Sequence, residues 1–147
     1  MSQENVEIVR QSYKALGRGD FEGWIAGLDP DVELDERYIA PDAAVYRGHD
    51  GVRRWWQQGT EAIGTPTVEV LRWFARGDTV VTEVIAHVRG VSSGAEAEAR
   101  LAHAIRIRNQ KVAYVASFRT VEEALEAVGL SEQDAHAGSP EPPSARL

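Results

Sequence analysis

Residues 100–108 (RLAHAIRIR) and 112–119 (VAYVASFR) each alternate in polarity, and only Asn109, Gln110 and Lys111 separate them. Alternation with a period of two, in runs rich in β-branched and aromatic residues, builds half-buried strands. A short polar break joins two such runs as an antiparallel hairpin. One face of that hairpin must be covered, and the rest of the chain has to cover it, so the pattern points to an α+β arrangement of helices on a sheet. The break leaves the register open. A three-residue loop pairs position 103 with 115 and puts Ser117 on the face of His103, whereas a two-residue loop brings Tyr114 and Ala116 there. Gln110 stands where glycine would ease a left-handed turn, at a cost of roughly 1 kcal/mol.

Upstream, Val6, Val9, Tyr13 and Leu16 recur at helical spacing between Glu4 and Gly17, which predicts an amphipathic helix over residues 3–16. Asp20 is a good N-cap for a second helix with the stripe Phe21, Trp24, Ile25 and Leu28, ended by Asp29-Pro30-Asp31. Residues 32–36 read as a short strand and 37–47 as a loop. Gly48-His49-Asp50-Gly51 opens a third helix, capped by His49 or Asp50 and carrying Val52, Trp55 and Trp56. Residues 67–75 and 79–90 are two strands joined through Arg76-Gly77-Asp78, and Ser92-Ser93-Gly94 turns the chain into the hairpin. Thr120 and Glu123 form a capping box for a last short helix that stops at Gly129. With three prolines and Leu147 as its one large apolar residue, the stretch 131–147 cannot bury enough surface to order itself. The reading is one domain over 1–130 followed by a disordered tail over 131–147, in keeping with a chain of 147 residues.

Composition removes several classes of chemistry. The chain has no cysteine, so a thiolate nucleophile, a disulfide framework and a cysteine metal site are excluded. A formal net charge of -7 argues against a nucleic-acid partner, because phosphates need a concentrated basic surface. No apolar run approaches the roughly 20 residues that cross a bilayer. The N-terminus also lacks the basic and apolar regions of a signal peptide, and the expectation is a cytoplasmic protein with no membrane association.

His103, between Leu101 and Ile105 on an apolar strand face, is the first candidate for chemistry: a desolvated imidazole can serve as donor or base near neutral pH. The competing reading is a core histidine satisfied by a carbonyl. Glu36 is a candidate base if it faces inward. Asp35 and Glu36 point to opposite faces, so only one can, and the alternative is a solvated acid paired with Arg37. Trp24, Tyr38, Tyr46 and Trp55 are candidates for an aromatic pocket suited to a flat ligand, or else plain core. Trp55 and Trp56 are about 100° apart on a helix, so one faces the pocket centre and the other packs elsewhere, at a subunit contact. Glu83 and His87 share a parity, and His87 lies close to level with His103 if the chain turns near Gly94 or Ala95, but the spacing matches no metal motif and no metal is expected.

Taken in this order of elements, Tyr13 to Gly19-Asp20, Asp29-Pro30-Asp31-Val32, Tyr46-Arg47-Gly48-His49-Asp50-Gly51-Val52, Leu101-Ala102-His103 and Glu123-Ala124-Leu125 resemble the nuclear transport factor 2-like superfamily. Within it, the SnoaL-like polyketide cyclases and ketosteroid isomerase-like members are the most similar. The resemblance runs from about Val6 to Leu130. It implies a cone in which a curved, mostly antiparallel sheet wraps the N-terminal helices around a central pocket, and a homodimer. In ketosteroid isomerase an aspartate base moves a proton while a tyrosine and a protonated aspartic acid hold the enolate oxygen. The resemblance carries the base position to Glu36, the protonated acid to His103, and the tyrosine to Ser12, one residue from Tyr13. The catalytic aspartate of the cyclases falls on Ser117, which cannot do an acid's work. The resemblance thus implies a small-molecule pocket protein acting on an apolar, carbonyl-bearing ligand as an acid/base isomerase or cyclase. His103, Glu36 and Tyr13 would be catalytic, and Trp24, Tyr38, Tyr46, Trp55 and Ser117 would bind the ligand. No cofactor is needed for proton transfer. A non-catalytic ligand-binding module and a dimerisation module of the same fold remain open.

Overall fold

In the computed structural model, which describes residues 2–40, 42–64 and 66–135, the hairpin is the centre of a six-stranded sheet. Its strands are β1 (Leu28–Asp35), β2 (Val45–Arg47), β3 (Thr67–Arg76), β4 (Thr79–Arg89), β5 (Glu96–Arg108) and β6 (Lys111–Phe118). They lie in the order β2-β1-β6-β5-β4-β3, and every neighbouring pair is antiparallel except β1 with β6. The sheet is curved and unclosed. Helices α1 (Ser2–Gly17), α2 (Phe21–Ala26) and α3 (Gly48–Ile63) cover one face, and α4 (Val121–Val128) covers the other. The expected α+β cone is therefore what the chain forms.

Each helix follows from its local sequence. Val6, Val9 and Tyr13 of α1 are buried against Trp73, Val80 and Val84 on the sheet, the 3.6-residue period meeting the two-residue one. Asp20 caps α2 by accepting the Gly23 N–H at 2.9 Å. A side chain on Gly23 would meet that carboxylate and push it out of its capping position. Thr120 caps α4 by accepting from the Glu123 N–H, and Gly129 ends it in the left-handed conformation.

Alternation along the strands divides two cores. Val70, Trp73, Val80, Val84 and Ile105 face α1 to α3, while Phe74, Val81, Ala102, Ala104, Ala116 and Phe118 face α4. The register of β5 on β6 departs from both expected pairings, although Ser117 does share the face of His103. The turn has two residues, Asn109 (φ 52°) and Gln110 (φ 63°), with Arg108 opposite Lys111. An extra residue, Ala113, then bulges between the pairs Ile107–Val112 and Arg106–Tyr114, so that His103 sits directly opposite Ser117. The short loop alone would have put Ala116 there.

Several boundaries also differ from expectation. Residues 29–31 do not merely stop a helix but lie within β1, whose pairing with β6 is interrupted between Leu28 and Glu33, because Pro30 has no N–H to give the ladder. Part of the expected loop forms β2. Neither His49 nor Asp50 caps α3: the N-cap is Arg47, which gives no side-chain cap, and His49 Nε2 donates to the Leu28 carbonyl at 3.0 Å. At the start of the expected tail, Glu132–Asp134 form a 3₁₀ turn held by a Ser131–Asp134 capping box and by Arg72 and Arg76. Residues 136–147 lie outside the described residues. No helix among the described residues is long and apolar enough to cross a membrane.

The β5–β6 turn yields a direct prediction. Gln110→Gly relieves the left-handed strain of a residue with a Cβ and is expected to raise unfolding free energy by about 1 kcal/mol in a urea titration, with an unchanged slope.

Candidate functional site

The concave face and the three N-terminal helices do not pack solidly together. Between them lies a cavity of about 380 Å³, the size of a small-molecule site, with mostly apolar walls. Alternation decides which polar groups enter it. On β4 Thr82 shares the face of Val80 and Val84, and the β4–β5 register places it opposite His103, which in turn faces Ser117 on β6. Three polar side chains thus stand in a row on the helix-facing side of the sheet; His103 and Ser117 line the hollow, whereas Thr82 is fully buried and not part of its wall.

Tyr13 comes to this row from α1. Its hydroxyl lies 2.7 Å from His103 Nδ1 and 2.6 Å from Thr82 Oγ1, and its ring stacks on the imidazole. The imidazole is part of the cavity wall. Burial removes the water that would stabilise an imidazolium, and no acid is close enough to compensate, so the His103 pKa is pushed down to about 4. The ring is neutral across the physiological range. Burial likewise pushes the Tyr13 phenol well above its ordinary value.

Glu36, one residue beyond β1, continues the inward parity of Leu34 and enters the cavity beside Ser117. Its Oε1 accepts the Trp55 indole N–H at 2.9 Å, whereas Oε2 is buried and makes no well-formed hydrogen bond. Loss of hydration raises its pKa. Ser117 and Trp55 favour the ionised form and offset part of that rise, and the negative charge of Asp35 adds to it. Asp35 itself points to the opposite face, where the Arg37 guanidinium donates to it twice, at 2.9 and 2.8 Å, and the Arg37 backbone N–H once, at 3.1 Å. Arg37 is thereby taken up by Asp35, which leaves Glu36 without a cation.

The expected aromatic residues divide. Trp24 and Trp55 line the cavity. Trp56 lines it too and does not turn away from it, because Phe21 and Trp24 hold it from the α2 side with ring centroids 4.8 and 6.2 Å away. Tyr38 and Tyr46 are not part of the wall. Tyr38 is 49% exposed and stacks on Phe118 on the far face, and Tyr46 packs beside α3 with its hydroxyl 3.4 Å from Gln58. Glu83 and His87 face away from His103: Glu83 pairs with Arg72 at 2.7 Å, and His87 lies opposite Glu98, five residues along β4 from Thr82. Ser12 is in the wall together with Tyr13, so α1 contributes both. Thr82 is the polar residue that sequence reasoning passed over. The signal was its place in an otherwise apolar inward parity, unreadable until the register set it beside His103.

A family model described as the SnoaL-like domain matches residues 9–115. Among solved structures, the chain is similar to an NTF2-like protein from Burkholderia xenovorans LB400, at 28% identity over 86% of this chain and 97% of that one, with a TM-score of 0.64. It is also similar to an NTF2-like protein of unknown function from Burkholderia pseudomallei K96243, at 24% identity, 86% and 97% coverage and a TM-score of 0.71. A third is a protein with a ketosteroid isomerase-like fold from Catenulispora acidiphila, in complex with trimethylamine, at 17% identity, 85% and 94% coverage and a TM-score of 0.68. No curated protein matches the chain in a sequence search.

The electrostatics of the cavity can be checked by titration. A carboxyl whose pKa is raised on folding weakens the fold as pH climbs from the ordinary 4.5 through the raised value. Glu36→Gln is therefore expected to raise the thermal midpoint at pH 7 by roughly 2–4 °C, as about 1 kcal/mol does in a chain of this size, and to give no gain below pH 4.5. His103 acts with the opposite sign, weakening the fold as pH falls from 6.5 towards 4. Its ring signals in an NMR titration are expected to stay those of a neutral imidazole at pH 5.5.

Proposed function

Because the chain belongs to the SnoaL-like domain family, we propose that it is a small-molecule pocket protein that carries out cofactor-independent proton transfer on an apolar, carbonyl-bearing ligand. One observation carries this reading: Glu36, whose Oε2 makes no well-formed hydrogen bond among the described residues, and His103, whose Nδ1 is held by Tyr13, line one mostly apolar cavity. Glu36 would take the proton from the carbon next to the carbonyl. As that bond breaks, charge moves to the carbonyl oxygen, where His103, backed by Tyr13, would donate a hydrogen bond. Return of the proton from Glu36 to another carbon completes an isomerisation, with no change of oxidation state.

Several features support the division of labour. The raised pKa of Glu36 brings a carboxylate closer to the strength a base needs at neutral pH. A neutral imidazole at His103 can donate without carrying charge into an apolar wall. The Trp24, Trp55 and Trp56 rings offer flat surface to a cyclic ligand, and a related fold holds a small molecule, trimethylamine. A second reading, a ligand carrier without catalysis, draws support from Ser117, which leaves Glu36 with no second deep acid. That reading expects stabilisation by ligand with no conversion.

Deuterium exchange separates the two. Cyclic enones incubated with the protein in D₂O and followed by proton NMR are expected to exchange the hydrogens next to the carbonyl. Glu36→Gln should lower that rate about 100-fold or more, and His103→Phe about 10- to 100-fold. The rate should rise with pH through a value above 4.5 and show no step near 6.5, since His103 does not titrate there. Exchange by Glu36→Gln at the wild-type rate would remove the proposal.

A further inference from the structure

Asp35 is a carboxylate buried on the far face of the sheet, 2% exposed, directly before the glutamate that enters the cavity. Burying a charge is costly, and an asparagine could make the same local turn, so the acid calls for a physical reason. Its Oδ1 accepts the Arg37 backbone N–H at 3.1 Å, which closes a ring around Glu36, the turn that an aspartate or asparagine side chain forms with the residue two places on. The Glu36 carbonyl in its turn accepts from the N–H groups of Ile39 and Ala40, both at 3.3 Å, and the Glu36 N–H donates to the Ala44 carbonyl at 3.4 Å. With the backbone held on either side, alternation sends the Glu36 side chain into the cavity, where the Trp55 indole N–H reaches Oε1 at 2.9 Å.

Charge supplies a second observation. The Arg37 guanidinium donates to both Asp35 oxygens, and the Tyr114 hydroxyl, with Arg106 5.9 Å over its ring, lies 3.4 Å from Oδ2. Arg37 holds the Asp35 carboxyl below its ordinary range, so it stays ionised. The Arg37 side chain is more than half exposed, and water screens its field. Asp35 is out of water and next to Glu36 in the chain, and its charge adds to the rise in the Glu36 pKa that burial begins. The other polar side chains that share the cavity, Trp55 from α3, Ser117 from β6, His103 from β5 and Tyr13 from α1, carry no charge, and Glu98 is exposed and paired with His87 at 3.3 Å.

We propose that Asp35, held by Arg37, is a positioning residue for Glu36: its carboxylate closes the turn that aims Glu36 into the cavity and keeps a fixed negative charge behind it. Asp35 acts through the sheet and never meets a ligand. Its effect on turnover rests on Glu36's being the base proposed above; how Glu36 is held and charged does not.

Two substitutions separate the turn from the charge. Asp35→Asn keeps an oxygen for the Arg37 N–H and removes the charge, whereas Asp35→Glu keeps the charge and, one methylene longer, cannot close the same ring. Two NMR signals of the ligand-free protein read them out: the Glu36 carboxyl carbon through a pH titration, and the Trp55 indole N–H. Asp35→Asn is expected to move the Glu36 midpoint down toward 4.5 and to leave the indole signal in place. Asp35→Glu is expected to move the indole signal toward that of a free indole and to lower deuterium exchange about tenfold, because a slightly misplaced reacting group is costly. A Glu36 midpoint unmoved by Asp35→Asn overturns the proposal, and that measurement stands by itself if Asp35→Glu does not fold. A wild-type indole signal in folded Asp35→Glu overturns the aiming role. Both signals responding as expected in a protein without exchange would instead sink the base assignment and leave the positioning standing.

Discussion

The pairing of β5 with β6 is the constraint from which the site follows. Two successive left-handed residues, Asn109 and Gln110, close the tightest hairpin turn, and one extra residue at Ala113 moves every later partner by one place. Because side chains alternate faces, a shift of one residue exchanges the buried and exposed sets. The bulge lets Val112, Val115 and Ser117 all face the helices, although their spacing is uneven. Without it, Ala116 would stand opposite His103, and the carboxyl of Glu36 would lose the hydroxyl beside it.

A cavity kept open under the helices has an energetic consequence. A packed core at that place would bury more apolar surface, and dispersion contacts are lost wherever the wall faces empty space. The polar groups in the wall make the tension sharper, because Glu36 and His103 both lose hydration while neither has an ion-pair partner among the described residues. Arg37, which could have compensated Glu36, is held by Asp35 on the far face. That arrangement weakens the fold, a cost that recurs at functional sites.

The same chain shows polar clusters of the ordinary kind. Arg72 joins Glu83 to Glu132, and Arg108 pairs with Asp29 beside the bulged start of β1. These charges are satisfied and partly solvated, and they tie loops to the sheet. The contrast with the cavity lies in partners, since Glu36 Oε2 is buried there with no well-formed hydrogen bond among the described residues.

Much of this was determined by the sequence alone. The helix stripes, the Asp20 and Thr120 caps, the long hairpin and the motifs from Tyr13 to Leu125 specified an α+β cone, because helix and strand periods and capping groups act over a few residues. Parity by itself required that Asp35 and Glu36 part company, and it marked His103 as facing an apolar surface. Tertiary structure decided the rest: which of the two acids turns inward, that Thr82 and not His87 lies level with His103, that Tyr13 in place of Ser12 reaches the imidazole, and that Tyr38 and Tyr46 lie outside the wall while Trp56 lies within it. Those outcomes depend on a bulge, on where a helix settles on a curved sheet, and on which rings pack first. Such contacts join residues up to 90 positions apart, and no local pattern encodes them.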